Sequence, residues 1–436
     1  MTTSKNNGIG LVSLGCAKNL VDSEVLIKQL EYSKFRIVFE PKTLHHIDTV
    51  IVNTCGFIGD AKKESIDIIL HYAEAKRTGK IQRLFLMGCL TERYRHELAI
   101  EIPEADGIFG VNQLPEIVRE IGGEYRTKLL GERKITTPPH YAYLKIAEGC
   151  DRTCSFCAIP SIRGPHKSRP IGEIVSEAKY LAETGVKELL VISQDTTFYG
   201  IDLYGRRRLA DLLNNLAEIK AIQWIRLHYT YPHAFPFDVL DVIRDHPNIC
   251  NYIDIPLQHI SNHILRSMKR GMSGNKSREL IERIRNTIPR VAIRTTFITG
   301  YPGESENDFN ELCQFVEASE FERMGVFTYS HEEGTPAYQL KDNLPEKIKL
   351  KRQAHLMQLQ EQISLKHNQK LVGKEINVLI DREENEFWVG RSEADSPEVD
   401  QEIFVRKTGN PIHPGTFYTV HITEANHFDL LGEIPV

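Results

Sequence analysis

Three cysteines fall within eight residues of one another, at Cys150, Cys154 and Cys157 in the run AEGCDRTCSFCAIP. Clustered thiols in a long chain without a dense disulfide framework are typical of metal binding or catalysis. The same spacing also fits a buried helical stripe. Gly149 and Pro160 bracket the segment and charged residues interrupt it, so a ligand-binding loop is favoured over a core stripe.

Zinc is the nearest alternative for the bound metal. A structural zinc site requires four protein ligands, and no fourth Cys or His lies at a normal local spacing, because His166 stands beyond a Gly and a Pro. Electron-transfer clusters usually use four Cys. Three thiolates on a four-iron cube leave one iron without a protein ligand, and a substrate or cofactor can chelate there. The spacing therefore favours an iron–sulfur cluster with an open iron.

The pattern C-x3-C-x2-C, with Phe156 directly before the third Cys, resembles the signature of the radical S-adenosylmethionine superfamily. The resemblance implies that the three thiolates hold a 4Fe-4S cluster. It implies that the free iron binds the amino and carboxylate groups of S-adenosylmethionine, whose reductive cleavage yields a 5′-deoxyadenosyl radical. It also implies a partial (β/α)6 barrel.

Cys16, Cys55 and Cys89 share a different context, because each follows a predicted strand (GLVSLGC, TVIVNTC and LFLMGC) and each has a Gly beside it. The carboxyl ends of parallel strands meet at one edge of a sheet, where such folds bind ligands. Any one of these cysteines alone would be interpreted as a core residue. Three in the same position predict a second cluster. Cys250 and Cys313 are interpreted as structural.

Four segments with different patterns lie along the chain. Residues 8–125 alternate apolar runs with amphipathic helices and predict a doubly wound parallel-sheet domain. The polar residues 126–139 are predicted as a linker. Residues 140–367 contain six strand–helix units and predict a partial TIM-type barrel with its active site at the carboxyl ends of the strands. Residues 368–436 predict a small antiparallel β-barrel.

Length and composition agree with a multidomain globular protein. The chain has 436 residues, of which 41% are hydrophobic, and a net charge of −5. It has no apolar run near the ~20 residues that cross a bilayer, and its amino terminus MTTSKNNG lacks the apolar core of a secretory signal. We therefore expect a cytoplasmic protein without a membrane partner.

The order of these segments resembles the methylthiotransferases, in which the last segment is a TRAM domain. The resemblance covers essentially the whole chain. It implies two 4Fe-4S clusters, the first on Cys16, Cys55 and Cys89 and the second, which coordinates S-adenosylmethionine, on Cys150, Cys154 and Cys157. It also implies S-adenosylmethionine as both radical source and methyl donor, an electron donor and a sulfur source.

Further cofactor contacts are expected from position in the barrel. By resemblance they are Phe156, Gln194, Asp195, Gly300, Gly303 and Glu304. Tight-turn geometry is the alternative for the two glycines, and a helix N-terminal carboxylate is the alternative for Glu304. Three arginines are candidates for binding a carboxylate or for structural ion pairs, namely Arg163, Arg169 and Arg294.

Four motifs resemble the protein-modifying members of this family, which methylthiolate the β-carbon of an aspartate in ribosomal protein S-twelve of the small subunit. They are SLGCAKNLVDSE, NTCGFIGDAKKESID, MGCLTERY and YLKIAEGCDRTCSFCAIPSIRG. The tRNA-modifying members typically carry a Gln-Met-Asn run in place of Ala17-Lys18-Asn19. The motifs thus favour the protein-modifying members. A tRNA adenosine methylthiotransferase is the first alternative, and a non-catalytic iron–sulfur electron carrier is the second.

The terminal segment is acidic. Residues 368–436 contain six Lys and Arg against thirteen Asp and Glu, eight of the latter within 383–402. RNA-binding modules need a basic surface to neutralise phosphates, so tRNA is not the expected partner. Ribosomal proteins are basic, and we interpret the acidic stretch as a surface that steers such a protein, with a solvated face as the alternative.

Overall fold

The computed structural model describes residues 8–127, 131–407 and 411–435. Three main sheets follow one another along the chain: a five-stranded sheet, a six-stranded sheet and a closed five-stranded barrel. No helix in the described part of the chain is long and apolar enough to cross a membrane. Residues 128–130 of the predicted linker and residue 436 lie outside the described residues.

The first sheet is parallel, with strand order β2-β1-β3-β4-β5. Its elements are β1 (Gly8–Ser13), α1 (Ala17–Tyr32), β2 (Arg36–Phe39), β3 (Ile47–Thr54), α2 (Gly59–Arg77), β4 (Arg83–Gly88), α3 (Cys89–Arg93), α4 (Arg95–Glu101), β5 (Gly107–Ile108) and α5 (Leu114–Ile121). The strand order reverses between β1 and β3, and doubly wound sheets bind ligands at such a switch point. The predicted doubly wound sheet is confirmed.

The second sheet is parallel and open, in the order β6-β9-β10-β11-β12-β13. The elements of this region are β6 (Tyr141–Lys145), β7 (Ala147–Glu148), α6 (Ile159–Arg163), β8 (Lys167–Ser168), α7 (Ile171–Glu183), β9 (Glu188–Ile192), α8 (Ile201–Tyr204), α9 (Leu209–Ala217), β10 (Trp224–Leu227), α10 (Asp238–Asp245), β11 (Ile249–Asp254), α11 (Asn262–Ser267), α12 (Gly274–Thr287), β12 (Ala292–Thr299), α13 (Glu306–Ser319), β13 (Arg323–Thr328) and α14 (Glu346–Gln369). The short strands β7 and β8 pair antiparallel in a separate two-stranded sheet. Six parallel strands with helices between them confirm the partial (β/α)6 barrel.

The third sheet closes into a small barrel in the order β14-β15-β16-β18-β17. Its strands are β14 (Glu375–Glu384), β15 (Phe387–Arg391), β16 (Glu402–Arg406), β17 (Phe417–Ala425) and β18 (Asp429–Glu433). The barrel was predicted as antiparallel, but β16 and β18 pair in parallel. A ring of five strands cannot alternate direction throughout, because an odd number leaves one neighbouring pair pointing the same way.

The segment between β15 and β16 plugs the interior of the six-stranded barrel. Glu188 at the start of β9 is fully buried, with its Oε1 2.8 Å from Arg226 Nε and its Oε2 2.8 Å from Arg391 Nη2 of the small barrel. Burial opposes ionisation, yet the two guanidinium groups hold the pKa of the Glu188 carboxyl below its usual value. Trp224 packs edge-on against Phe417, with the ring centroids 4.7 Å apart.

This plug corrects part of the interpretation of the acidic stretch. Asp395 forms a buried ion pair with Arg323, and Asp400 Oδ1 lies 3.2 Å from Arg294 Nε. Glu398 accepts a hydrogen bond from each of two barrel tyrosines, at 3.1 Å. These three carboxylates therefore bind the six-stranded barrel, and Asp395 and Asp400 are paired there with arginines, whereas Glu398 remains exposed.

Replacement of Glu188 by alanine is expected to lower the free energy of unfolding by about 3–5 kcal/mol, because two buried guanidinium groups lose their shared counterion. The chain has two tryptophans, Trp224 and Trp388, so replacement of Trp388 leaves Trp224 as the source of tryptophan emission. Because Trp224 packs against Phe417 of the small barrel, its emission reports unfolding of this contact. In a Trp388→Phe background, the urea midpoint measured by tryptophan emission should fall.

The matched control is Asp241→Ala, which removes one exposed partner of Arg244. Exposed ion pairs contribute about 0–1 kcal/mol, so the urea midpoint should hardly move. A Glu188→Ala protein with the midpoint of its parent would show that the buried pair does not hold the two barrels together.

The described part of the predicted linker is packed against both neighbouring sheets. Arg133 is buried and forms ion pairs with Glu24 of α1 and, at 2.9 Å, with Glu177 of α7. Thr136 donates to Glu24 from its backbone N–H at 2.7 Å. Polar side chains of the predicted linker therefore bind buried carboxylates of both neighbouring sheets.

Candidate active site

The carboxyl ends of β1, β3 and β4 bring Cys16, Cys55 and Cys89 together. Cys16 precedes α1 as its N-cap, Cys55 directly follows β3, and Cys89 begins α3. A Cβ on Gly15 would lie 2.7 Å from Cys55 Cβ, and the φ of Gly15 is +90°. Only glycine allows this approach and this backbone conformation. Steric crowding and a positive φ therefore explain why a glycine stands next to Cys16 in the sequence pattern.

The other three thiols lie in the loop that follows β7, at the carboxyl end of the six-stranded barrel. The Cys150 N–H donates to Gly164 O at 3.0 Å, and the Cys157 N–H donates to Cys154 O at 3.2 Å. The thiols interact electrostatically within this set and within the set of Cys16, Cys55 and Cys89. Cys16, Cys55 and Cys89 lie at the strand ends of the first sheet as predicted, whereas the barrel thiols follow β7, a short strand that pairs with β8 outside the six-stranded sheet.

Each set of thiols has a buried arginine beside it. Arg270 Nη1 donates to Cys154 Sγ at 3.3 Å, and Tyr231 Oη lies 3.4 Å from the same sulfur. Arg163 lies near Cys89 and lowers its pKa, but burial dominates and raises it to about 12. Burial also raises the pKa of Cys157 to about 12. Metal binding must therefore displace protons from these thiols, and the guanidinium groups compensate part of the charge that results.

The two sets of thiols face a common interface between the two sheets. Cys89 belongs to an apolar cluster with Ala158, which directly follows Cys157 along the chain, and with Ile162 of α6. Cys89 Sγ donates to Asn19 Oδ1 at 3.4 Å, and Arg163 donates to the same oxygen. The folded chain therefore brings both predicted cluster sites to one interface.

Buried ion pairs hold this interface closed. Glu332, which follows β13, accepts from Lys62 of α2 at 2.8 Å and from Arg93 of α3 at 3.0 Å. The Gly59 N–H donates to Ser330 Oγ at 3.3 Å. The Lys62 and Arg93 contacts lower the pKa of Glu332 against the effect of its burial. Removing one partner of such a buried group is costly, so these contacts resist separation of the two sheets.

Three of the predicted cofactor residues lie around the barrel thiols. Phe156 lies between Cys154 and Cys157 and packs against a cluster that contains Tyr301 and Tyr329. Asp195 Oδ2 accepts from Arg152 Nε at 2.6 Å, while its Oδ1 caps a short 3-10 helix. Gln194 Nε2 lies 3.5 Å from Glu148, and the buried Gln194 Oε1 has no hydrogen-bond partner in the described chain.

Of the other three predicted cofactor residues, Gly300 and Glu304 pack against α14, whereas Gly303 lies nearest to His263 of α11. The Gly300 N–H donates to Glu304, and a Cβ on Gly300 would lie 2.2 Å from Lys349 Cγ. Glu304 is buried, with its Oε1 3.4 Å from Arg352 Nη1 of α14. A Cβ on Gly303 would lie 3.7 Å from the nearest side chain. The contacts of Glu304 and Gly300 are therefore with the body of the fold.

The three candidate arginines all take part in ion pairs. Arg163 Nη1 lies 3.2 Å from Asp22 and 2.8 Å from Glu148, Arg169 pairs with Glu177 at 2.7 Å, and Arg294 pairs with Asp254 at 3.3 Å. These pairs favour the structural alternative for all three. Sequence reasoning missed Arg270 and Tyr231, because neither their spacing nor their neighbours in the chain signal contact with Cys154.

A cavity of about 220 Å³ opens where the three sheets meet. Its lining residues come from the β1–α1 turn, the barrel interior and the plug, and they include Cys16, Tyr229, Asp254, Arg294 and Glu398. Burial raises the pKa of the Asp254 carboxyl, but contacts with His228 and Arg294 bring it down to about 2. A larger cavity, of about 550 Å³, lies outside the barrel between α12, α13 and α14, away from the thiols.

The residues present fit iron–sulfur clusters chemically. Within residues 8–127, 131–407 and 411–435, no three His, Cys, Asp or Glu side chains are grouped so as to hold a single metal ion. A cluster tolerates wider spacing, because its ligands bind different iron atoms. Each set offers three thiols and one cation, and thiolates are the ligands that iron–sulfur clusters use.

Three family models match consecutive parts of the chain. The Uncharacterized protein family UPF0004 model matches residues 9–110, the Radical SAM superfamily model residues 144–316 and the TRAM domain model residues 372–434. The three matches contain the first sheet, the thiol loop with most of the second sheet, and the small barrel.

Curated relatives match nearly the whole chain. The ribosomal protein uS12 methylthiotransferase RimO of Christiangramia forsetii is 50% identical over 98% of this chain and 94% of its own length. The same-named protein of Flavobacterium johnsoniae is 50% identical over 98% of each chain. The solved methyltransferase TsrM of Kitasatospora setae shares the fold, with a TM-score of 0.55 and 15% identity over 73% of this chain and 72% of that one. The chain belongs to the RimO family of radical SAM methylthiotransferases.

Proposed function

We propose that this enzyme attaches a methylthio group to the β-carbon of an aspartate in ribosomal protein uS12 of the small subunit, in the cytoplasm. The observation that carries the proposal is the packing of Cys89 against Ala158, which brings two separate sets of three thiols to one interface. A radical enzyme that only cleaves S-adenosylmethionine needs one such set. The substrate follows from the relatives, whose name states that they modify this ribosomal protein.

The six thiols have distinct proposed roles. Cys150, Cys154 and Cys157 hold the cluster that coordinates S-adenosylmethionine, and Cys16, Cys55 and Cys89 hold a second 4Fe-4S cluster. When bound, the first supplies the electron that cleaves the cofactor, and the second supplies sulfur. Arg270 and Tyr231 orient Cys154 and offset its charge through hydrogen-bonding contacts to its sulfur.

The surrounding residues keep the reaction away from water. Phe156, Gln194 and Asp195 form the proposed wall for S-adenosylmethionine, and the free Gln194 Oε1 is an acceptor available to its amino group. Gly300 and Glu304 support this wall from the side of α14, and Gly303 supports it beside His263 of α11. The Glu332 ion pairs close one side of the interface, and exclusion of water protects a radical from side reactions.

The proposed reaction also requires an electron donor and a sulfur source. The substrate is tested with the reconstituted enzyme, S-adenosylmethionine, dithionite and sulfide, supplied with either purified uS12 or total tRNA. We expect mass spectrometry to show a gain of one methylthio group on one aspartate of uS12 and no new methylthioadenosine in tRNA. Modification of tRNA alone would overturn the proposed substrate.

A non-catalytic electron carrier is separated by a second readout. The reduced, reconstituted protein should release 5′-deoxyadenosine from S-adenosylmethionine, whereas a carrier would release none. A protein that contains both clusters but does not cleave S-adenosylmethionine would contradict the enzymatic proposal.

A further inference from the structure

Lys18 occupies an unfavourable position for a lysine. It is the second residue of α1, two residues after Cys16, and only 6% of its surface is exposed. The first turn of a helix carries partial positive charge, which disfavours a cation. A buried charge costs free energy unless it is paired. Both costs indicate that the ammonium group is kept for a purpose other than stability.

The ammonium group has no anionic partner at contact distance in the described chain. Lys18 makes no hydrogen bond and no ion pair there, and its Nζ lies 2.9 Å from the centroid of the Tyr229 ring. A ring face attracts a cation but does not neutralise it. By contrast, the neighbouring Arg163 and Arg294 each contact two carboxylates. Lys18 is thus a cation at this interface that has no carboxylate partner within the described residues.

The ring beneath Lys18 is held in a strained position. Tyr229 follows β10 with a φ of +55°, a left-handed conformation that bulky residues rarely adopt. Its N–H donates to Asp254 Oδ2 at 3.0 Å, which fixes this backbone. Strain of this kind persists where the surroundings enforce it, and it concentrates at functional sites.

Lys18 is not itself a lining residue of the 220 Å³ cavity, but it lies next to the wall, because Cys16, Ala17 and the Tyr229 ring under its ammonium group line the cavity. The cavity also contains the carboxylates of Asp254 and Glu398, which repel an anion, and the guanidinium group of Arg294, whose charge Asp254 and Asp400 offset. An anionic side chain that enters the cavity is therefore attracted mainly by the charge of Lys18, which the described residues leave unpaired on the Tyr229 ring, and the exposed Cys16 lines the same cavity. An anionic side chain bound there would place its adjacent carbon beside the thiols of the first sheet.

We propose that Lys18 binds the side-chain carboxylate of the substrate aspartate and so positions its β-carbon between the two sets of thiols. This role rests on the proposed function, because it assigns the recognition of the aspartate that the enzyme modifies. Lys18 is then a substrate-binding residue that distinguishes aspartate from its neutral isostere, asparagine.

The test compares two synthetic peptides that span the modified loop of uS12, one with the target aspartate and one with asparagine in its place. Binding to the reconstituted, unreduced enzyme is measured by fluorescence anisotropy, and KM and kcat are measured after reduction. Lys18→Met should weaken binding of the aspartate peptide by about tenfold to a hundredfold, the loss expected for one charge-assisted hydrogen bond. Binding of the asparagine peptide should change little, and Lys18→Arg should restore part of the preference.

Lys28→Met is the matched control, because Lys28 lies on the same helix and pairs with Glu132 at the surface. It should keep the affinity of the wild type for both peptides. Equal weakening of both peptides by Lys18→Met, loss of iron from that variant, or a rise confined to the KM for S-adenosylmethionine would each overturn the role of Lys18. If the wild-type enzyme does not modify uS12 at all, the proposed function fails, and this outcome is distinct from a failure of Lys18 alone.

Discussion

Conversion of Cys154 to alanine is expected to abolish reductive cleavage of S-adenosylmethionine, with 5′-deoxyadenosine formation falling on the order of a thousandfold or more. The change removes one of three thiolates and leaves Arg270, which is 4% exposed, without the sulfur to which it donates. The measurements are 5′-deoxyadenosine after reduction with dithionite, and iron and acid-labile sulfide per chain after anaerobic reconstitution.

Cys313→Ala provides the control for this result. Cys313 is a buried thiol on α13, outside both sets, so its loss should leave iron content and cleavage unchanged. A Cys154→Ala protein that cleaves S-adenosylmethionine at the rate of the wild type would refute the assignment of the cluster to the barrel loop.

Conversion of Cys89 to alanine is expected to separate the two activities of the enzyme. Alanine keeps the small apolar contact with Ala158 and Ile162, so the barrel loop should remain in place. Iron should fall to about half, because one of two equal clusters loses a thiolate. Methylthio transfer should fall on the order of a thousandfold, while cleavage of S-adenosylmethionine persists.

The contrast between the two cysteine variants tests whether the sets are independent. Cys89→Ala and Cys154→Ala are assayed side by side for methylthio product and for 5′-deoxyadenosine. If Cys89→Ala lost both activities in parallel, the thiols of the first sheet would serve to support the barrel loop structurally and not to handle sulfur. If it retained methylthio transfer, the sulfur-handling role of the first sheet would be wrong.

The small barrel contributes more to the architecture than its charge suggested. Of the acidic residues in 383–402, Asp395, Asp400 and Glu398 bind groups inside the six-stranded barrel. Others remain at the surface, including Glu384 and Glu402, which pair with Arg382. A docking surface for a basic protein must therefore be sought among these outer carboxylates. Of the inner ones, Glu398 also lines the 220 Å³ cavity.

Local pattern was sufficient for the thiols and the sheets. The spacing of Cys150, Cys154 and Cys157 is a property of one loop, and the strand–Cys context of Cys16, Cys55 and Cys89 repeats along the chain. Alternation of apolar runs and helices predicted parallel sheets, and parallel strands must bring their carboxyl ends to one edge. The convergence of the thiols in each set could therefore be inferred before the structure was known.

Only the tertiary structure decided how the two sets face each other and which charges are free. The contact of Cys89 with Ala158, the donation from Arg270 to Cys154 and the inward turn of Asp395 join residues that lie 69 or more positions apart in the chain. A charge pattern cannot show whether a carboxylate meets water or a buried guanidinium, because that depends on the partner brought by another part of the fold. For the same reason the sequence presents Lys18 as an ordinary helix residue, and its burial on the Tyr229 ring without a carboxylate partner becomes visible only in the described part of the folded chain.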